Sequence, residues 1–307
     1  MDAVIRRITD GIGTVFLGKS HQIQLVLACL MAKGHLLLED LPGMGKTTLS
    51  QTLAKVLGLK TTRVQFTSDL LPGDILGFTI YDQKNSEFQF RAGPVFTQLL
   101  LADEINRATP KTQGALLEAM EEKQVTIDGV SHPLPKPFFV IATQNPVSQM
   151  GTYPLPESQL DRFLMKVSLG YPDPLIEKEL ILGVDRRSLI HSLDPVIDAS
   201  ELLKLQLLAR QVHLSDSVVS YIQRLVHASR TRPGFNYGLS PRGTLAIVRA
   251  SQAWALIQGR SHIVPEDVQA ILPSVVEHRV RGSLDHAGHE GVSLVQTLLH
   301  EVDVIGR

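Results

Sequence analysis

The stretch Glu39-Asp-Leu-Pro-Gly-Met-Gly-Lys-Thr-Thr48 constrains this chain more than any other. An apolar run, Leu36 to Leu38, precedes it, and a run of helical periodicity from Thr48 to Leu57 follows it. Strand, glycine-rich loop, Lys-Thr and helix is the layout of a phosphate-binding loop. Successive loop N–H groups converge on phosphate oxygens, and the helix N-terminus adds partial positive charge. Gly43 and Gly45 permit the tight turn and the close backbone approach. Lys46 supplies a point charge for the β- and γ-phosphates, and the Thr47 hydroxyl suits Mg²⁺. Pro42, Met44 and Thr48 complete the expected phosphate cradle. One position departs from G-x-x-x-x-G-K-[ST]: Asp40 stands where the first glycine belongs.

Further along, short apolar runs alternate with helical patterns. Strands are expected at Leu36 to Leu38, Val64 to Phe66, Leu99 to Ala102, Phe138 to Ala142 and Leu164 to Leu169. Strands alternating with helices predict an α/β fold with a parallel sheet. Two helices are expected within Val4 to Ala32, and Thr109-Pro110 reads as the N-cap and first position of another. Hairpins are expected at Phe78 to Arg91 and, around Asp128-Gly129, at Val125 to His132. Asp69 to Gly77 reads as a loop from its Pro and Gly content. After Tyr171 only helices are expected: Ile176 to Leu182, Ala199 to Gln211, Asp216 to Ser229, Pro241 to Gln258 and Pro265 to Val276. The expected boundaries are 1–171 for an αβα nucleotide-binding core and 172–307 for a smaller helical lid.

Three further signals bear on chemistry. Asp103-Glu104 ends a fully apolar strand, where Asp can hold the Mg²⁺ shell and Glu can deprotonate an attacking water. Asn145 ends the next buried strand, in reach of the same crevice. Taken alone, Asn145-Pro146 reads first as a turn signal. Arg162 and Arg242 supply guanidinium groups of the kind that stabilise the charge of a transferring phosphoryl group. Taken singly, each reads first as a surface or domain-interface ion pair.

Composition narrows the rest. The formal net charge is −1 and the basic residues are scattered along the sequence, unlike a protein that coats duplex DNA. The single cysteine, Cys29, excludes a disulfide framework or a Cys-rich zinc site and suits a reducing, cytoplasmic location. No apolar run approaches the ~20 residues of a membrane span. The histidines form no metal-ligand spacing.

Asp40 to Thr47, Leu100-Leu-Ala-Asp-Glu-Ile-Asn-Arg-Ala108, Ala142 to Pro146, Gln159-Leu-Asp-Arg-Phe163 and Leu239-Ser-Pro-Arg242, in that order, resemble the MoxR family of AAA+ ATPases. An acidic residue at position 40 is part of that resemblance. The resemblance implies an AAA+ αβα core followed by a helical lid, with ATP and Mg²⁺ as cofactors. It makes Lys46 and Thr47 the Walker A residues, Asp103 and Glu104 Walker B, and Asn145 sensor 1. Arg242 becomes sensor 2, acting from the lid on its own chain's nucleotide, and Arg162 the arginine finger, acting on a neighbour's. Phe16 to Lys19, with Leu17 and Gly18, would lie by the adenine. The implied assembly is a homo-oligomeric ring, typically a hexamer, whose cycle moves the lid against the core. It would remodel a protein client, with von Willebrand factor A domain proteins as partners.

Two alternatives stay open at this level. One is a nucleic-acid-associated AAA+ motor, although neither hairpin interleaves aromatic and basic residues as single-strand binders do. The other is a chelatase-like motor subunit, which would need partner chains. The sequence leaves undecided whether Arg107 or Glu157 reaches across a subunit boundary.

Overall fold

The computed structural model describes residues 2–145, 151–183, 186–282 and 294–306; Pro146 of the Asn-Pro turn and the Arg187 side chain lie outside them. Helices α1 (Asp2–Gly13) and α2 (Ser20–Met31) lead into β1 (Leu36–Glu39), followed by α3 (Lys46–Val56) and β2 (Thr61–Gln65). Next come α4 (Pro72–Leu76), the hairpin β3 (Gly77–Asp82) and β4 (Glu87–Ala92), then β5 (Leu99–Asp103) and α5 (Pro110–Glu122). A second hairpin, β6 (Gln124–Ile127) and β7 (Val130–Pro133), precedes β8 (Phe139–Gln144), α6 (Glu157–Leu160) and β9 (Met165–Val167). The C-terminal part holds α7 (Pro174–Leu182), α8 (Arg186–Ser192), α9 (Ala199–Arg210), α10 (Asp216–Thr231), β10 (Phe235–Tyr237), α11 (Pro241–Ile257), α12 (Pro265–Val276), β11 (Arg281–Gly282) and α13 (Leu294–Glu301).

The main sheet has the order β2-β5-β8-β1-β9, with every pairing parallel. Its central strands are uninterrupted apolar runs because both faces are covered. Side chains alternate between the faces. Leu36, Leu38, Leu99, Leu101, Phe139 and Ile141 point to one core, whereas Leu37, Leu100, Ala102, Val140 and Ala142 point to the other. The first core contains residues of α1, α2, α3 and the C-terminal helices α9 to α13, so sheet and C-terminal helices share apolar packing. The second is closed by α4 and α5. The order in which strands are added reverses between β8 and β1, and the carboxyl ends of β5, β8 and β1 lie side by side. A crevice at such a switch point is where open α/β sheets bind ligands.

His35 fastens the opposite, amino-terminal end. The Val140 N–H donates to its Nδ1 (3.0 Å) and its Nε2 lies 3.3 Å from Met120 O, so Nε2 carries the proton. Burial drives its pKa down to about 4, against the bond to Met120, and the ring is neutral.

The structure differs from the sequence expectations in three places. Asp69 to Gly77 is not all loop: Pro72 opens the short helix α4, and Asp74 Oδ2 accepts from Leu71 N at 2.9 Å. Strands do occur beyond Tyr171, since β10 pairs antiparallel with β11. Strands of three and two residues, distant in sequence, carry no periodicity to read. Helices α8 and α13 also lie outside the expected set. No helix among the described residues is long and apolar enough to cross a membrane.

Candidate nucleotide site

The loop after β1 closes with Gly45 at φ 85° as the N-cap of α3, without a side-chain cap. The first-turn N–H groups of Lys46, Thr47 and Thr48 therefore have no acceptor within the helix. Gly43 is also left-handed (φ 85°), so Pro42 to Gly45 turns in a conformation that favours glycine. A Cβ at Gly45 would come within 3.0 Å of the Phe16 ring, which packs against the loop. Leu17 and Gly18 thereby flank it. Gly18, at φ 68°, approaches α7 so closely that a Cβ would lie 2.8 Å from Ile176 Cγ1.

Lys46 Nζ donates to the Asp40 carbonyl (2.6 Å) and to Asn145 Oδ1 (3.2 Å), which joins the ends of β1 and β8. Burial lowers its pKa, and the carboxylates of Asp40, Asp103, Glu104 and Glu39 oppose that shift. The departure at position 40 has a structural cause. The buried Asp40 carboxylate accepts from Ser168 Oγ (2.9 Å), Leu169 N (2.5 Å) and Gly170 N (3.2 Å). A glycine could not tie the start of the loop to the chain leaving β9. Asp40→Gly, which restores the common pattern, is expected to cost about 2–4 kcal/mol by stranding those donors. Urea titration would show it as a lower midpoint; an unchanged midpoint would mean the clamp contributes nothing.

At the end of β5, Asp103 Oδ1 accepts from Thr143 Oγ1 (2.6 Å), and Asp103 Oδ2 accepts from Arg63 Nη2 (2.7 Å). The same Thr143 hydroxyl accepts from Glu104 N (2.9 Å). Glu104 stands at φ 56°, a left-handed conformation that costs on the order of 1–3 kcal/mol for a non-glycine residue. Its Oε2 accepts from Gln65 Nε2 (2.9 Å) and pairs with Arg107 Nε (3.1 Å). Arg107 thus has a partner in its own chain, as does Glu157, which pairs with Arg281 Nε at 2.7 Å. Sequence reasoning missed Arg63, Gln65 and Thr143; end positions of strands neighbouring β5 are the signal that could have found Gln65 and Thr143, whereas Arg63, in the middle of β2, reaches Asp103 along the strand.

Hard oxygen donors suit Mg²⁺, which keeps several waters and takes one or two protein carboxylates. Thr47 and Asp103 fit that pattern, because Asp103 keeps acceptor capacity beyond the three bonds it accepts from Thr143 and from Nη2 and Nε of Arg63. Among the described residues no cluster of three or more His, Cys, Asp or Glu side chains could hold a metal by itself.

Arg162 and Arg242 are elsewhere. Arg162 Nη2 lies 3.2 Å from Glu121 Oε2, and Arg242 Nη2 lies 2.5 Å from Glu121 Oε1. Both line a cavity of about 430 Å³ with Lys33, Gly34 and His35, the residues that enter β1. The loop that holds Lys46 leaves the other end of β1, a strand length of roughly 13 Å away. In this structure Arg242 therefore does not lie beside the phosphate loop of its own chain, where the resemblance would have it act. Packing of α11 on α2 carries it to the amino-terminal end of the sheet, beside Arg162.

Residues 35–165 match the ATPase family associated with various cellular activities (AAA), and residues 227–299 match the AAA lid domain. An uncharacterised protein of Bacillus subtilis, YeaC, is 46% identical over 277 residues, covering 90% of this chain and 87% of that one. Chaperone MoxR1 of Mycobacterium tuberculosis is 42% identical over 277 residues, covering 87% and 72%. The crystal structure of a candidate ATPase from Cytophaga hutchinsonii superposes with a TM-score of 0.88 at 37% identity, covering 98% of this chain and 95% of that one. With the order of its motifs, the five-stranded parallel sheet and these relatives, the chain belongs to the MoxR family of AAA+ ATPases.

Proposed function

We propose that this ATPase hydrolyses Mg²⁺-bound ATP at junctions between subunits of a head-to-tail ring and uses the cycle to remodel a protein client. One observation carries the reading: Arg162 and Arg242 share a partner, Glu121, at the end of the sheet opposite to Lys46, Asp103 and Glu104. A chain whose charge-stabilising arginines cannot meet its own phosphate loop completes the site with a second copy. Such an interface is heterologous and closes into a ring when the rotation allows.

The residues divide the work as follows. The first-turn N–H groups of α3 and Lys46 bind the triphosphate. Glu104, fixed by Thr143, Gln65 and Arg107, takes the proton of the attacking water, and Asn145 orients that water. Thr47 and Asp103 would hold Mg²⁺, which would supply positive charge to offset the negative charge of the triphosphate. Arg162 and Arg242 of the adjoining subunit stabilise the charge on the transferring group.

A protein client is favoured by the first hairpin. Phe78, Tyr81 and Phe88 are exposed on β3 and β4, with Tyr81 and Phe88 ring centroids 5.2 Å apart. The Mycobacterium relative is named a chaperone, which agrees with that surface. A hexamer and a von Willebrand factor A domain adaptor are what the family resemblance adds.

Turnover per subunit is expected to rise with protein concentration and then saturate as rings fill. Specific activity that stays flat down to concentrations where mass photometry shows only monomer would overturn the reading.

A further inference from the structure

Four cations that are scattered in the sequence meet in space. Lys33 follows α2, Lys123 follows α5, Arg210 ends α9 and Arg249 lies within α11. With Ala32, Ala209 and Gln252 they line one pocket of about 160 Å³. Among the described residues, none of the four forms an ion pair with a carboxylate. Gln252 Nε2 donates to the carbonyls of Arg210 (3.3 Å) and Val212 (3.0 Å), which pins the end of α9, where Arg210 stands, to α11, which carries Arg249.

The backbone gives a second, independent sign. Lys33 and Lys123 both sit just past a helix in the left-handed region, at φ 57° and 55°. Glycine is the low-cost residue there. After α3 and α11 this chain does place glycine in that region, Gly58 at φ 59° and Gly259 at φ 75°. At the two helix ends that face the pocket it places lysine instead. The Lys33 amine has its pKa lowered by burial first, and then by the charges of Arg210, Lys123 and Lys136. Backbone strain and mutual repulsion are both borne at one spot.

We propose that this pocket binds a phosphate-class dianion, separately from the nucleotide at the phosphate loop. The pocket, open to solvent on its cationic side, is the size of one small oxyanion rather than a groove for an extended chain. Two guanidinium forks and two ammonium groups suit the several oxygens of such an anion. Lys33, Lys123 and Arg249 also line the larger cavity that holds Arg162 and Arg242. If those arginines act on a neighbour's γ-phosphate, a clause that rests on the reading above, cleaved phosphate has a continuous cationic path into the pocket. Binding itself needs neither a ring nor hydrolysis.

The test uses full-length Lys46→Ala protein, which silences the phosphate loop, titrated with inorganic phosphate against chloride at matched ionic strength. A saturable rise in Tm of roughly 2–4 °C is expected, with matching broadening of the ³¹P signal. Adding Arg210→Ala and Arg249→Ala, both at exposed positions, should abolish it. Lys33→Gly should weaken phosphate binding while leaving the phosphate-free Tm unchanged or higher, because it relieves the left-handed lysine. No saturable shift, or an equal shift in the Arg210→Ala/Arg249→Ala protein, overturns the proposal. So does binding of a glutamate-rich peptide or a single-stranded oligonucleotide at these four residues that phosphate does not compete away; the partner would then be a macromolecule. Turnover is not measured, so a failure here and a failure of the ring reading remain separate results.

Discussion

Glu104→Gln is expected to bind ATP as the parent does and to lower turnover by about 10²–10⁴-fold. The amide keeps the size of the carboxylate and can still bond Gln65, yet it cannot take a proton from water. The left-handed backbone and the Thr143–Glu104 N bond lie outside the side chain, so the substitution leaves the frame in place. Equilibrium binding of a fluorescent ATP analogue, set beside phosphate release, separates the two effects. Wild-type turnover in this variant would remove Glu104 as the base. Loss of ATP binding would mean that the side chain positions nucleotide rather than water. The same variant, locked with ATP, is the natural trap for a client.

Mixing variants tests the junction between subunits. Arg162→Ala alone should lose about 10³–10⁵-fold in turnover, the range for a phosphoryl-stabilising arginine. Lys46→Ala alone should be inactive because it cannot hold the triphosphate. Mixed in equal amounts and allowed to exchange, the two should regain about a quarter of wild-type turnover, the random-pairing share of competent junctions in a head-to-tail ring. Arg242→Ala mixed with Lys46→Ala should be rescued in the same way, since Arg242 stands beside Arg162 and shares Glu121 with it. Rescue of Arg162→Ala without rescue of Arg242→Ala would return Arg242 to its own chain's nucleotide. No rescue of either would end the inter-subunit assignment.

The parts of the fold that rest on local pattern were legible beforehand. The runs that became β1, β5 and β8 are apolar at every central position because both faces are buried, and no other local structure explains them so simply. Thr109 at an N-cap and Asp128-Gly129 at a hairpin turn are likewise written in adjacent residues. Whatever depends on contacts between distant segments was hidden. Arg63 meets Asp103 only because β2 pairs with β5, and Thr143 serves both acidic residues only because β8 lies beside them. Asp40 carried its signal, but its partners at Ser168 to Gly170 did not. Arg242 carries its signal in Leu239-Ser-Pro-Arg242, but its place beside Arg162 does not show in sequence, since the packing of α11 on α2 leaves no trace in either helix alone. The cations Lys33, Lys123, Arg210 and Arg249 looked dispersed for the same reason.

The apolar packing that runs from the sheet through α2 into α9 and α11 has a mechanical side. Leu27, Leu30, Ile247 and Trp254 belong to one buried cluster. Prising the C-terminal helices away to expose on the order of 400 Å² would cost about 10 kcal/mol at ~25 cal/mol per Å². A chain packed this way resists separation of its C-terminal helices from the sheet, so in the proposed ring the compliant parts would be the seams between subunits. There a power stroke would turn one whole subunit against the next, and Arg162 and Arg242, placed to stabilise the phosphoryl group, would also be the contacts that feel it leave.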